Sequence, residues 1–225
     1  MSDGSEKRFT VLDEMRKLRT QNLNGSSGHA EILEQVRELE KQQLSVARAA
    51  PVASAKADDI ERLTLLDPLT ELYNYRTFIK ELKAELSRAR RYNHSISLCM
   101  LNIDELESVR SQYGDLMVEA VLKVVGNVIQ SSIREVDIAA RYLDPIFAIV
   151  LPETTAASAS MVAERVRQRI ANQVISHNWQ NFSVTCSLGV ACYPQQASAH
   201  DELIARALEA MQLAVERGGD RVFSP

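Results

Sequence analysis

Cysteine and histidine are scarce and scattered in this chain. Three cysteines (Cys99, Cys186 and Cys192) and four histidines (His29, His94, His177 and His200) are spread over 225 residues. No C-x-x-C pair occurs, and no histidine adjoins a cysteine or another histidine, so the spacings of a zinc site are missing. An odd number of distant cysteines in apolar or β-branched settings reads as buried thiols in a reducing compartment. No apolar run approaches the roughly 18 residues of a membrane span, and residues 1–10 are too polar for a secretory leader. A soluble, cytoplasmic chain without a membrane span is the expectation. Basic charge is not in excess either: 26 Lys plus Arg stand against 30 Asp plus Glu, for a net charge of −4. A nucleic-acid polymer needs a basic face and is excluded as the main partner; a small anionic nucleotide at a local arginine site is not.

What is present is ordinary globular material, 45% hydrophobic and 25% charged. At roughly 150 residues per domain, the length suits one domain and an appendage. Residues 1–55 read as a helical and flexible N-terminal extension. Phe9, Leu12, Met15 and Leu18 recur at three-residue spacing in a weak helix over 8–21, residues 22–28 are a Gly/Ser/Asn linker, and Ile32, Val36, Leu39 and Leu44 mark a second short helix over 31–49. Its seam is too short for a coiled coil. Residues 56–225 read as one domain. A cap at Asp58 or Asp59 opens a helix running to Leu66. Further helices are expected over 76–92, 114–130, 155–171 and 201–217. Strands are expected over 96–103, 138–142 and 146–151, a strand or strand pair over 182–193, and a short edge strand at 221–223. Leu143-Asp144-Pro145 between two strands is a hairpin signal. The mixture gives an α/β or α+β domain with at least one antiparallel pair.

Several fixed landmarks now fall in order. Asp67-Pro68-Leu69-Thr70-Glu71-Leu72-Tyr73-Asn74 resembles the D-x-L-T-G-L-x-N opening of the GGDEF, or diguanylate cyclase, family. Asn102-Ile103-Asp104 stands where that family has D-x-D. Ala140-Arg141-Tyr142 precedes the signature hairpin, and the run from Val184 to Ala191 resembles its v-T-x-S-i-G-v-a strand. The resemblance covers residues 60–224 and implies a nucleotidyl-cyclase-like fold, a central, mainly antiparallel sheet flanked by helices.

The resemblance also implies chemistry, and here the chain departs from the family. Joining two GTP molecules takes metal ions held by carboxylates and positive charge on the triphosphates. The signature reads Leu143-Asp144-Pro145-Ile146-Phe147, in which only the core residue Phe147 matches. Leu143 lacks the conformational freedom of the family's glycine, and Ile146 offers no oxygen to Mg²⁺. The family's first metal aspartate is Asn102, leaving Asp104 alone. Its guanine-reading asparagine is Arg110, with Glu119 for the aspartate partner, and its triphosphate-clamping lysine and arginine fall on Val215 and Gly219. Arg217 and Arg221 lie nearby but out of register. The expectation is no enzyme, with no catalytic residues, no metal and no cofactor.

The family's second nucleotide site, built on R-x-x-D before the hairpin, is matched by Arg134 and Asp137, six residues ahead of Leu143. Three such strings occur (Arg134/Asp137, Arg141/Asp144 and Arg217/Asp220), and 19 Arg with 11 Asp predict about one by chance, so only register singles out the first. Arg165, in Ala163-Glu164-Arg165-Val166-Arg167, matches a third contact. An arginine fork suits guanine O6 and N7, and an aspartate accepts from guanine N1–H and N2–H. The implied ligand is cyclic di-GMP, and the leading expectation is a silent receptor that relays to an unidentified protein partner. The alternative is an interaction scaffold that binds no nucleotide, in which Arg134, Asp137 and Arg165 are a surface ion cluster. Residues 1–25 are expected either to dock on a partner, on a second copy in a homodimer or on the domain itself, or to be a partly disordered tail with transient helix.

Overall fold

A computed structural model describes residues 64–177 and 180–224. The chain divides at Asp59/Ile60, and the described residues belong to the second unit. The helices read at 8–21 and 31–49 and the cap at Asp58 or Asp59 lie outside them.

Helix α1 (Tyr75–Tyr92) starts where the Asn74 side chain accepts from the Thr77 N–H at 3.0 Å, and stops at Asn93, which takes the left-handed conformation. Its Phe78, Leu82, Leu86 and Ala89 share one buried stripe. Strand β1 (Ile96–Ile103) is buried along its whole length, which explains its uninterrupted apolar sequence. Helices α2 (Leu106–Tyr113) and α3 (Asp115–Ser132) follow, then the hairpin of β2 (Ile138–Leu143) and β3 (Ile146–Pro152). Helix α4 (Ala156–Ala171) leads to the short strands β4 (Ile175–His177) and β5 (Gln180–Phe182). Strand β6 (Cys186–Tyr193), helix α5 (His200–Glu216) and strand β7 (Val222–Phe223) complete the order.

The main sheet runs β2-β3-β1-β6-β7, antiparallel except for the parallel β6–β7 edge; β4 and β5 form a separate hairpin. Alternation along β1 sends Cys99, Leu101 and Ile103 to a core shared with α3 and α4, and Leu98 and Met100 to one shared with α1 and α5. Each fully buried large side chain here, such as Phe78 or Phe147, contributes about 1.5–3 kcal/mol. Gly189 permits the closest approach: a Cβ there would lie 2.0 Å from the Met211 nitrogen and 2.2 Å from the Ala207 oxygen of α5. The glycine of the S-x-G-V strand thus lets the last helix rest on the sheet backbone.

Of the two readings of 182–193, one strand or a pair, the structure has two separate elements. Phe182 pairs with Ile175 in the small hairpin, and the main-sheet strand begins at Cys186. Helix α2 was not apparent in the sequence, because Glu105 at its start has a φ of 51° and gives no side-chain cap.

Candidate functional site

The signature hairpin closes on hydrocarbon. Register sets Ile146 opposite Asn102 of β1 and opposite Leu143 of β2. Ile146 is 2% exposed and belongs to the core beneath α1 and α5, where Leu143 packs against it. Asn102 is 3% exposed; its amide nitrogen donates to the Ile103 carbonyl, and its Oδ1 is buried without a partner. Asp104 lies two residues further on, just past the end of β1, and both oxygens of its carboxylate are bonded. Thr185 Oγ1 donates to Oδ2 at 2.8 Å, Ser187 Oγ to Oδ1 at 2.7 Å, and the Asp220 N–H to Oδ2 at 2.9 Å. Gly219, with φ +70°, packs on that carboxyl so closely that a Cβ would sit 3.2 Å from it.

The neighbouring arginines are committed as well. Arg110 lies 3.0 Å from Glu107 and 3.1 Å from Asp115. Arg217 covers the Phe223 ring at 4.6 Å, and Arg221 donates to the Gly219 carbonyl. Arg167 bonds Glu164 and Asp220, which raise its guanidinium pKa above the ordinary value. Glu164 is held low in return, first by its hydrogen bond with Arg167.

The three R-x-x-D strings now separate on geometry. In Arg141/Asp144, the arginine pairs with Asp144 and with Asp67 at 3.2 Å, and Asp67 also accepts from the Thr70 N–H and hydroxyl. Burial disfavours the Arg141 charge, but the two carboxylates outweigh it and hold the pKa up. That string pins the hairpin to the D-P-L-T turn. In Arg217/Asp220 the two side chains take other partners.

Arg134/Asp137 is different. The pair forms the turn between α3 and β2: the Asp137 N–H donates to the Arg134 carbonyl at 3.1 Å, and the Arg134 N–H donates to Asp137 Oδ2 at 2.8 Å. Asp137 is 9% exposed, and its Oδ1 is buried with no hydrogen-bond partner. Burial pushes the Cys99 thiol up to about 12, and the Asp137 charge adds to the shift. Arg134 is exposed.

Arg165 reaches the same corner from α4. Its Nη2 donates to the Ser132 carbonyl at 2.7 Å, two residues before Arg134, while Arg169 donates to the Ser131 carbonyl at 2.8 Å. Both arginines satisfy the last carbonyls of α3, a favourable place for a cation. Arg134 faces the other way. With Glu85, Arg88, His94, Val136 and Glu153 it lines an open cavity of about 280 Å³. Neither Arg165 nor Asp137 lines that cavity. Arg88, His94 and Glu153 escaped the sequence reading because α1, the start of β1 and the end of β3 meet Arg134 only through sheet packing; nothing local marks them.

The sequence profile of the family described as "Diguanylate cyclase, GGDEF domain" matches residues 64–221. The diguanylate cyclase DgcP of Pseudomonas aeruginosa is 28% identical over 178 residues, 79% of this chain and 26% of that protein. The chain spans between 26% and 48% of the length of the curated relatives it matches. Among solved structures, diguanylate cyclase SiaD of Pseudomonas aeruginosa, in complex with its activator SiaC, superposes with a TM-score of 0.70 at 27% identity, over 96% of this chain and 82% of that one. The GGDEF domain of DgcB from Caulobacter crescentus, in complex with c-di-GMP, shares the fold with a TM-score of 0.69 at 24% identity, over 78% of this chain and 98% of that one. No helix among the described residues is long and apolar enough to cross a membrane.

Proposed function

The chain belongs to the GGDEF, diguanylate cyclase, family, and from that membership we propose that it is a catalytically silent member that binds cyclic di-GMP at Arg134 and Asp137 and relays its presence to a protein partner. Silence follows from the donor set. A hard divalent cation needs oxygens, ideally anionic ones. The residues at the family's metal positions do not fit it: Ile146 is hydrocarbon, Asn102 is neutral with its Oδ1 buried, and both oxygens of Asp104 are bonded by the protein. The triphosphate positions carry Val215 and Gly219. Loss of metal, base and phosphate contacts together leaves nothing to hold two GTP molecules face to face.

The observation that carries the receptor reading is the orphaned Oδ1 of Asp137. A buried carboxylate oxygen without a donor is unfavourable, and a ligand that donates to it would relieve that cost. Guanine N1–H and N2–H are such donors, while the exposed Arg134 fork matches O6 and N7 of a base. Arg165 keeps guanidinium hydrogens beyond the one spent on Ser132 and adds charge for the phosphates. A protein partner is supported by the solved complex of SiaD with SiaC.

The scaffold reading is favoured by one contact, Arg165 on the end of α3, which a structural role explains by itself. Equilibrium dialysis against labelled cyclic di-GMP, beside chromatography of the protein incubated with GTP and Mg²⁺ or Mn²⁺, tests the proposal. Saturable retention of the dinucleotide and no new product are expected. No retention selects the scaffold, and turnover abolished by Asp104→Ala overturns the silence.

A further inference from the structure

The cavity beside Arg134 contains a group with no part in the contacts above. His94 stands on the connection between α1 and β1 and lines the cavity. Its Nδ1 is 3.0 Å from Glu153 Oε1, its side chain is 48% exposed, and its ring lies 6.2 Å from that of Tyr92. The charged groups around it are Glu85 and Arg88 of α1, Glu153 after β3, and Arg134 of the α3–β2 turn. Arg88 is paired with Glu85.

With a neutral imidazole the formal charges of the lining cancel, two arginines against two glutamates. Protonation gives the lining a net positive charge and makes the Glu153 contact an ion pair, which offsets the carboxylate that would repel a phosphate. A cyclic dinucleotide is a dianion, so it favours the protonated form. Resting on the reading of this corner as a cyclic dinucleotide site, we propose that His94 is a further ligand-binding group that takes up a proton with the ligand, so that affinity rises as pH falls.

The linkage is reciprocal: a ligand that favours the protonated imidazole binds more tightly where that form is available. A bound anion raises the histidine pKa. The gain in affinity is therefore full at low pH, where the imidazole is protonated without the ligand, and is lost as pH rises across the neutral range. Ordinary carboxylates, guanidinium groups and tyrosine keep their charge across that window, which leaves histidine as the side chain that changes. Each unit of upward shift is a tenfold gain in binding.

Calorimetric titration with cyclic di-GMP at about pH 6 and about pH 8, in two buffers of different ionisation enthalpy, tests this on the wild type and on His94→Gln. The wild type is expected to bind roughly five- to tenfold more tightly at the lower pH, with buffer-dependent heat from proton uptake. His94→Gln should show equal affinities at the two pH values and no buffer-dependent heat. A pH-independent wild type, or a variant that retains the slope, overturns the proton linkage and leaves the receptor reading standing. No binding at either pH overturns both. The imidazole resonances of the unmodified protein, titrated with and without ligand, need no variant: the His94 curve must move to higher pH on binding, and an unmoved curve refutes the proposal.

Discussion

Asp137→Asn separates a functional carboxylate from a structural one. In the wild type, Oδ2 accepts from the Arg134 N–H at 2.8 Å and Oδ1 is buried without a partner. The amide oxygen of Asn preserves the first bond, and with it the turn that presents Arg134. The amide nitrogen replaces the orphaned oxygen, so a buried charge becomes a neutral group whose desolvation costs less. A gain of about 1 kcal/mol is a reasonable magnitude, which in a domain of this size raises Tm by roughly 2–4 °C. Binding moves the other way. The new donor faces the guanine donors, and loss of a hydrogen bond to a charged group, about 1.5–3 kcal/mol, weakens cyclic di-GMP about 10- to 150-fold. Differential scanning fluorimetry and calorimetry on the same preparations read both effects. A lowered Tm with unchanged affinity would refute the reasoning and leave Asp137 as a turn cap.

Arg134→Ala should weaken cyclic di-GMP by about 1–3 kcal/mol in a direct titration, whereas Arg217→Ala, whose guanidinium covers Phe223, should leave affinity unaltered; equal losses would mean that bulk charge is being read. Ile146→Glu restores one family carboxylate in isolation, and burying that charge at a 2% exposed position should cost about 3 kcal/mol or more in urea unfolding without producing any cyclic dinucleotide. Gly219→Arg, at φ +70° and against Asp104, should lose about 1–2 kcal/mol from backbone strain alone, seen as a lower Tm. Glu164 is held below the ordinary 4.5 by Arg167, so its stabilisation is complete above that value and disappears as pH falls through the lowered one. The Tm difference between the wild type and Glu164→Gln should accordingly shrink below about pH 4.5 and stay constant above it.

Much of the fold was legible because burial writes itself into continuous sequence. The run from Ile96 to Ile103 is apolar because the strand is covered on both faces, and its bounds follow directly. The stripe of Phe78, Leu82 and Leu86 and the stop at Asn93 define α1 in the same way. Elements held by tertiary context were not legible. Strands β4 and β5 have three residues each and no alternation long enough to detect, so the sequence left open whether 182–193 is one strand or a pair. At the site, the departures at Asn102, Leu143 and Ile146 could be read from residue chemistry alone. That Asp104 is bonded on both oxygens, that Arg165 closes the end of α3, and that His94 lines the same cavity as Arg134 are long-range facts. Register against the signature hairpin selected one R-x-x-D string of three; the partners of Arg141 and Arg217 give the physical reason the other two are structural.

Calorimetric titration of the intact chain with cyclic di-GMP, with Arg134→Ala as its partner experiment, bears most directly on the central claim. A saturable isotherm that is lost or strongly weakened in Arg134→Ala is the predicted result. A flat isotherm for the wild type, from a protein whose cooperative melting shows it to be folded, would contradict it.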